Sequence, residues 1–293
     1  MMNPSNEKRS ATACYAENLC KLLNDEASLA EEKELYLRMY FSSLISSEIG
    51  FDRASRSVLG GYRRLAAACD GESLFLDEKT ILCRVLAERY SSVSAVLDSV
   101  LSSEQSARIV LWEMHSMSLM AYEKFSGLFV SVEKMGLESF SEVCDVVANS
   151  ADAFGIIPLE NTTDGRLAAF YKMLDRNELK ICAVCDVEDP ETDVVTRLAL
   201  IAKNLYAFDG DFRRCVEFSF VVSDAQRRME LLGVAEKVGG ILTRLSMLPL
   251  SYRENASLDT VRISFSESNV LPFLVYLRLF CEDINILGFY IHM

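Results

Sequence analysis

Apolar residues recur at two different periods along this chain. Up to about residue 103 they fall three and four positions apart. Leu19, Leu22, Leu23, Leu35, Met39 and Leu44 form one series, Val58, Tyr62 and Leu65 a second, and Ile81, Val85, Tyr90, Val93 and Leu97 a third. That is the spacing of helices with one buried stripe. Gly50 with Asp52, and later Asp70-Gly71, interrupt it. The pattern therefore predicts one long helix over 17–49, a second over 53–69 and a third capped by Asp77. From residue 108 short apolar runs alternate with amphipathic ones. Strands are expected at 108–111, 129–134, 154–157, 180–187 and 198–202, with helices at 118–125, 140–148 and 166–174. Such alternation implies a sheet with helical crossovers. Asp209-Gly210-Asp211 reads as a turn within a linker. Beyond it the order is strand 216–222, helix 229–238, strand 241–248, strand 260–265, helix 271–281 and strand 284–290.

The stretch from Phe154 to Gly165 concentrates the candidate chemistry. Phe154 to Ile157 reads as a buried strand, ended by Pro158 because proline cannot donate to a ladder. Glu160, Asn161, Thr162 and Thr163 then place four polar side chains at its carboxyl end. Gly165 opens a segment in which Leu167, Phe170, Tyr171 and Leu174 have helical spacing. A strand, a polar turn and a helix N-terminus is where open α/β sheets take anionic ligands. An ordinary turn capped by Thr or Asp is the other reading.

Composition narrows the classes. Half of the 293 residues are hydrophobic, enough for two or three cores. A net charge of −13 and a pI near 4.8 exclude nucleic acid as the default partner. No apolar run reaches membrane-spanning length, and the polar N-terminus has no signal-peptide core, so a cytoplasmic location is expected. Nine cysteines without framework spacing are expected to be reduced. Cys182 and Cys185 lie in a predicted strand, where positions three apart face opposite ways, which argues against a redox or zinc pair. With two histidines, His115 and His292, there is little material for a metal site, and neither metal nor cofactor is expected.

The stretch Pro158-Leu159-Glu160-Asn161-Thr162-Thr163-Asp164-Gly165 resembles the Pro-Ile-Glu-Asn-Ser/Thr-x-x-Gly motif of the prephenate dehydratase family. Ser139-Phe140-Ser141-Glu142-Val143 resembles its Ser-Phe-x-x-Val helix, Thr196-Arg197-Leu198 its Thr-Arg-Phe motif, and Leu287-Gly288-Phe289-Tyr290 the Leu-Gly-x-Tyr ending of its ACT domain. The resemblance runs from about Arg108 to the C-terminus. The N-terminal helices match in outline the helical chorismate mutase domain that precedes the dehydratase in bifunctional P-proteins. Asp52, Arg56 and Ser57 stand where that family has Asp, Arg and Glu. The other cations of a mutase site have no clear counterparts, although Lys21 and Arg38 are available. A plain three-helix bundle is the simpler reading.

The resemblance implies an α+β or α/β multidomain chain. Its parts would be an N-terminal helical bundle (1–105), a single α/β dehydratase-like lobe (106–206) and a C-terminal ACT, ferredoxin-like, domain (207–293). It also implies site residues: Thr196 as proton donor with Glu160 and Asn161 as catalytic partners, and Thr162, Thr163, Gly165, Arg197 and Ser118 as ligand contacts. Three departures weigh against activity. The family's Gly-x-x-Gly-x-Phe/Tyr-Ser turn is replaced by Trp112-Glu113-Met114-His115-Ser116-Met117-Ser118, without glycine. The family's second lobe has no counterpart, since only Glu188 to Val194 joins two strands. The Glu-Ser-Arg-Pro segment of phenylalanine-binding ACT domains is reduced to Leu245-Ser246-Met247-Leu248-Pro249. The expected function is thus a weak or inactive relative tied to phenylalanine biosynthesis. It would act as a ligand-binding or regulatory homodimer for a small carboxylate or aromatic amino-acid-like ligand, with 216–222 or the strand ending at Tyr290 as the pairing edge. The alternative is an active prephenate dehydratase, with or without chorismate mutase activity, whose missing wall comes from another subunit.

Overall fold

The computed structural model describes residues 13–15, 18, 30–45, 50–68, 76–97, 100–102, 106–208, 213–250, 256–266, 270–281 and 283–293. The first part of the long helix, with Leu19, Lys21, Leu22 and Leu23, lies outside them, as do Asp70-Gly71 and Asp209-Gly210-Asp211. The chain forms two compact units, each built from separate segments. One comprises the described residues of Met1–Leu97, Ala225–Gly239 and Asn269–Glu282; the other comprises those of Asp98–Asp224, Gly240–Ser268 and Asp283–Met293.

The first unit is helical. Its elements are α1 (Ala30–Leu44), α2 (Phe51–Ala68), α3 (Leu76–Arg89), the single turn α4 (Val93–Val96), α8 (Ala225–Lys237) and α9 (Val270–Phe280). The apolar stripe expected to continue from Ile81 to Leu97 is broken after Arg89. Ser92 starts a new turn by accepting a bond from the Ala95 amide at 3.2 Å. Helix α3 is central, touching α1, α8 and α9. Leu37, Phe41, Leu82, Leu86, Phe273 and Leu277 fill the space between them. Asp52 receives the Arg278 guanidinium at 2.6 Å, Arg56 bonds back to the Asp52 carbonyl at 3.1 Å, and Ser57 is exposed. Arg38 is held by Glu34 and Glu88.

The second unit is mixed α/β. Its strands are β1 (Val100–Ser102), β2 (Ser106–Trp112), β3 (Ser131–Leu137), β4 (Ala153–Asn161), β5 (Gly165–Arg166), β6 (Lys180–Glu188), β7 (Val195–Ala202), β8 (Leu205–Ala207), β9 (Arg214–Val222), β10 (Ile241–Pro249), β11 (Ser257–Phe265) and β12 (Asn285–His292). Helices α5 (Ser116–Ser126), α6 (Phe140–Asn149) and α7 (Ala168–Arg176) connect the early strands. Strands β1 and β8 make a small parallel pair; the rest form one sheet in the order β10-β11-β9-β12-β6-β7-β4-β2-β3, with β5 against β4. The strands β2, β3 and β4 are parallel, whereas β7 runs antiparallel to both β4 and β6. From residue 214 the order strand, helix, strand, strand, helix, strand is observed. Its last strand, β12, joins the two halves of the sheet by lying antiparallel to β9 and parallel to β6.

Register decides what each face buries. Leu198 and Leu200 of β7 share a core with Phe154, Ile156, Ala121 and Phe125. Ala199 and Ile201 share the other with Val143, Val147, Tyr171 and Leu174. Three expectations are corrected here. Pro158 does not end its strand: β4 continues to Asn161, and a bulge between Pro158 and Glu160 accommodates the missing amide. Cys182 and Cys185 do not face opposite ways, because a bulge between Ile181 and Ala183 puts both in one core. Both are fully buried, and burial pushes each thiol up to about 12, so neither is a reactive thiolate. The proposed pairing edges are not edges: β9 lies between β11 and β12, and β12 between β9 and β6, leaving β10 and β3 outermost.

Candidate functional site

The segment 158–165 forms a hairpin rather than a turn into a helix. Asn161 pairs with Gly165 and Glu160 with Arg166, so β5 folds back on β4 before α7 begins at Ala168. Gly165 sits at φ +69, where an L side chain would be strained. Asn161 holds the turn: its side-chain oxygen accepts from the amides of Thr163 (3.0 Å) and Asp164, and its amide donates to Asp164 Oδ2 at 2.9 Å. The helix N-terminus therefore lies beyond β5 and not directly after the polar turn. Thr162 ties the hairpin to β7, donating its amide to the Val195 carbonyl at 3.0 Å and accepting the Val195 amide on Oγ1 at 3.2 Å. Thr163 is exposed, and its amide makes the turn bond just described.

Glu160 lies at the centre of an ionic cluster. Arg262 on β11 donates to it at 2.7 and 3.3 Å, Arg244 on β10 pairs with it, and Arg197 on β7 approaches at 3.5 Å. The Tyr171 hydroxyl on α7 is 3.4 Å away. Arg262, 7% exposed, also donates to Glu217 at 3.0 Å, and Glu217 accepts from the Tyr290 hydroxyl at 2.8 Å. Burial would raise the Glu160 pKa; the Arg262 hydrogen bond and the charges of Arg262, Arg244 and Arg197 outweigh it and hold the carboxyl below its ordinary value. Arg197 also forms a two-pronged bond with Asp186, at 2.8 and 2.9 Å, and Asp186 meets His292 at 3.1 Å. The His292 hydrogen bond, and then Arg197, hold Asp186 well below the usual carboxylate range against the opposing effect of burial.

The register separates the expected site residues. Glu160 pairs with Arg197, and Asn161 with Thr196. Neighbouring residues on a strand point to opposite faces. Glu160 and Arg197 thus belong to the face of Ala199 and Ile201, and Thr196 to that of Leu198 and Leu200. Thr196 is buried at 4% exposure. Ser118, on α5, is also fully buried, 3.3 Å from His115 Nδ1.

The glycine-free turn after β2 is filled by aromatic rings. Trp112 stacks on His115 with centroids 5.2 Å apart, and Phe140 meets both edge-on at 4.8 and 5.6 Å. Burial lowers the His115 pKa, with the Asp189 charge acting in the opposite direction. The Trp112 indole N–H is buried without a hydrogen-bond partner among the described residues. Glu113 lies over Gly136, where an added Cβ would collide with the Glu113 carboxylate. Residues 189–194 join β6 to β7 as a short loop built on Asp189, which accepts from the Glu191 amide at 3.0 Å and the Thr192 hydroxyl at 2.8 Å. Among the described residues no group of three or more His, Cys, Asp or Glu side chains is arranged to hold a metal. No helix among them is long and apolar enough to cross a membrane.

Arg244, Arg262 and Glu217 were missed in the sequence. Their signal was a charge inside an otherwise apolar strand, since a buried charge needs a partner.

Residues 109–188 match the family model described as prephenate dehydratase. That span runs from β2 to the end of β6 and leaves Thr196, Arg197, Arg244 and Arg262 outside. The chain aligns with the X-ray structure of prephenate dehydratase from Streptococcus mutans at a TM-score of 0.49 and 16% identity, covering 64% of this chain and 98% of that one. It aligns with GqqA, described as a novel type of quorum quenching acylase, at 0.48 and 17%, covering 64% and 96%. A prephenate dehydratase in complex with L-Phe from Arthrobacter aurescens aligns at 0.45 and 11%, covering 63% and 90%. No curated protein matches.

Proposed function

We propose, from the premise that this chain is a prephenate dehydratase family member through its segment at residues 109–188, that it no longer catalyses the dehydratase reaction and serves as a regulatory or ligand-binding protein of the aromatic amino-acid pathway. The observation that carries this reading is the engagement of Glu160. Three arginines and a tyrosine converge on its carboxylate, so little acceptor capacity remains for a substrate. The other retained groups are similarly engaged: Asn161 braces its own turn, Thr162 bonds to β7, and Arg197 is fixed between Asp186 and Glu160.

Decarboxylative loss of hydroxide requires a positioned proton donor and fixed dipoles at the developing charge. Thr196 as donor, with Glu160 and Asn161 as partners and Thr162, Thr163, Gly165, Arg197 and Ser118 as contacts, remains the set a catalyst of this family would use. Here Thr196 and Glu160 belong to opposite sheet faces, which works against one substrate touching both. Correct positioning is worth about 7–11 kcal/mol of barrier. We infer that the second lobe of the family is replaced by the 189–194 loop, and that residues 214–292 form a ferredoxin-like ACT module. The 1–105, 106–206 and 207–293 segments are then inherited units of sequence.

We further infer a cytoplasmic homodimer. Strand β10 is an edge whose Ile241, Leu242, Met247 and Leu248 are exposed, and whose one charge, Arg244, is paired with Glu160. The opposite edge, β3, carries Glu133 and Lys134, charges that discourage pairing.

Purified protein should fail to convert prephenate to phenylpyruvate at an enzymatic rate, roughly 1 to 1000 per second. Turnover in that range, abolished by Thr196→Ala in a folded protein, would overturn the reading.

A further inference from the structure

A concavity lies at the opposite end of the strands from the Glu160 hairpin. Six strand positions separate Lys180 from Asp186 along β6, about 20 Å. The cavity has a volume of about 760 Å³, within the range of small-molecule sites. Its lining comes from the last turns of α6 and α7, the first residues of β6 and β12, and the turn between β7 and β8. Buried Leu174, Leu179 and Leu205 line it as apolar wall.

Charges of both signs line the same concavity: Asp175 and Glu178 at and just beyond the end of α7, Lys180 at the start of β6 and Lys203 just after β7. Lys180 is half-buried and donates to Asn285 Oδ1 at 3.2 Å and to the Ile286 carbonyl at 2.7 Å. An ammonium has three donors, so among the described residues one is left for a ligand. Burial lowers the Lys180 pKa although Glu178 and Asp175 pull the other way, so the ammonium is incompletely compensated. Glu178 is held at φ 54, a left-handed conformation that ordinarily selects glycine or asparagine. A chain that ends α7 with glutamate there keeps a carboxylate at the cavity at a cost in backbone strain.

We propose that this cavity binds a small zwitterion, an α-amino acid with an apolar side chain. Its carboxylate meets Lys180 and Lys203, its ammonium meets Asp175 and Glu178, and its side chain lies on the leucine wall. This deepens the ligand-binding reading above by naming a site and a ligand class, but it does not depend on whether Glu160 and Thr196 are catalytically silent.

The test is calorimetric titration and thermal shift of the full chain with L-leucine, L-methionine and L-phenylalanine. Isopentylamine and 4-methylpentanoate, each carrying one of leucine's two charges, are the controls. At least one amino acid should bind, at least tenfold more tightly than either single-charge analogue. Lys180→Met and the exposed Lys203→Gln should each weaken it about tenfold or more, a loss of about 1.4 kcal/mol. Glu178→Gly should raise the melting temperature by relieving the backbone while weakening binding, a combination that loss of structure cannot mimic. Thr196→Ala should leave the affinity unchanged. No binding by any of the three amino acids, or equal binding of a single-charge analogue, would overturn the proposal. So would binding that survives both lysine variants but is lost in Thr196→Ala, which would place the ligand at the hairpin. Prephenate turnover bears only on the silent-enzyme reading, so the two fail separately.

Discussion

Glu160 shows how many partners one buried carboxylate can gather. Its carboxylate is 15% exposed and faces Arg197, Arg244 and Arg262, of which Arg262 is 7% exposed. Removing one member of such a cluster leaves buried charge uncompensated. Glu160→Gln should therefore lower unfolding free energy by about 3 kcal/mol in urea titrations, near the lower end of the usual range because Arg262 keeps Glu217. Glu160 and Asp186 are both held below their ordinary values of 4.5 and 3.8 in the folded protein. The unfolded chain therefore binds more protons in acid. The stability these groups contribute is fully present above their unfolded values and is lost as the pH falls below them. Urea midpoints should decline from about pH 5 downward, and Glu160→Gln or Asp186→Asn should flatten that decline. The motif around Glu160 was legible in the sequence, but its partners were not. Arg262 lies 102 positions away, and nothing local announces a contact at that separation.

At the scale of elements, the early strands and helices were legible because their signals are local. Ser139 accepts from the Glu142 amide at 3.3 Å, and Glu142 accepts from the Glu138 amide at 3.1 Å, a reciprocal cap that starts α6 where the sequence places it. Ser139→Ala should cost about 1 kcal/mol of stability, read from the thermal or urea midpoint. Gly155 is a stricter position. A Cβ there would lie 2.8 Å from Val143 Cγ1, 2.9 Å from Val147 Cγ2 and 3.1 Å from Ile201 Cγ1. Gly155→Ala should thus push α6 off β4 and cost about 1–3 kcal/mol in the same measurement. The bulges at Pro158 and Ile181 were not legible, because a bulge is a mismatch between two strands and one strand's sequence carries half of it. The extension of β3 to Leu137, past the expected end at Lys134, has the same origin: β2 pairs with it through Trp112.

At the scale of the molecule, alternation of strands and helices was enough to foresee a mixed α/β chain, but not which strand would be outermost. Apolar content suggested the strands now seen as β9 and β12, yet their apolar faces are explained by neighbours on both sides. The exposed side chains of β10 lie on the edge where the proposed homodimer would pair. Met247→Lys on that edge should convert a homodimer to monomer in light scattering at micromolar concentration, with the helical and sheet signals of circular dichroism unchanged. A wild-type monomer at that concentration would remove the dimer.

The position of β12 carries a consequence for how the protein is made. Strand β12, which follows both of its sheet neighbours in chain order, lies in the interior of the sheet between β9 and β6, and the Met293 amide bonds to the Val184 carbonyl at 2.9 Å. During synthesis the N-terminal part of a chain emerges first. Until residues 285–292 have left the ribosome, β6 and β9 are raw edges of two unfinished half-sheets. Each nascent chain thus passes through a sticky interval whose length is set by translation rather than by folding. Yield in cells should therefore depend on chaperone supply and growth temperature more steeply than the stability of the finished protein would suggest. A chain truncated before Asn285 should accumulate as aggregate instead of as a smaller folded protein.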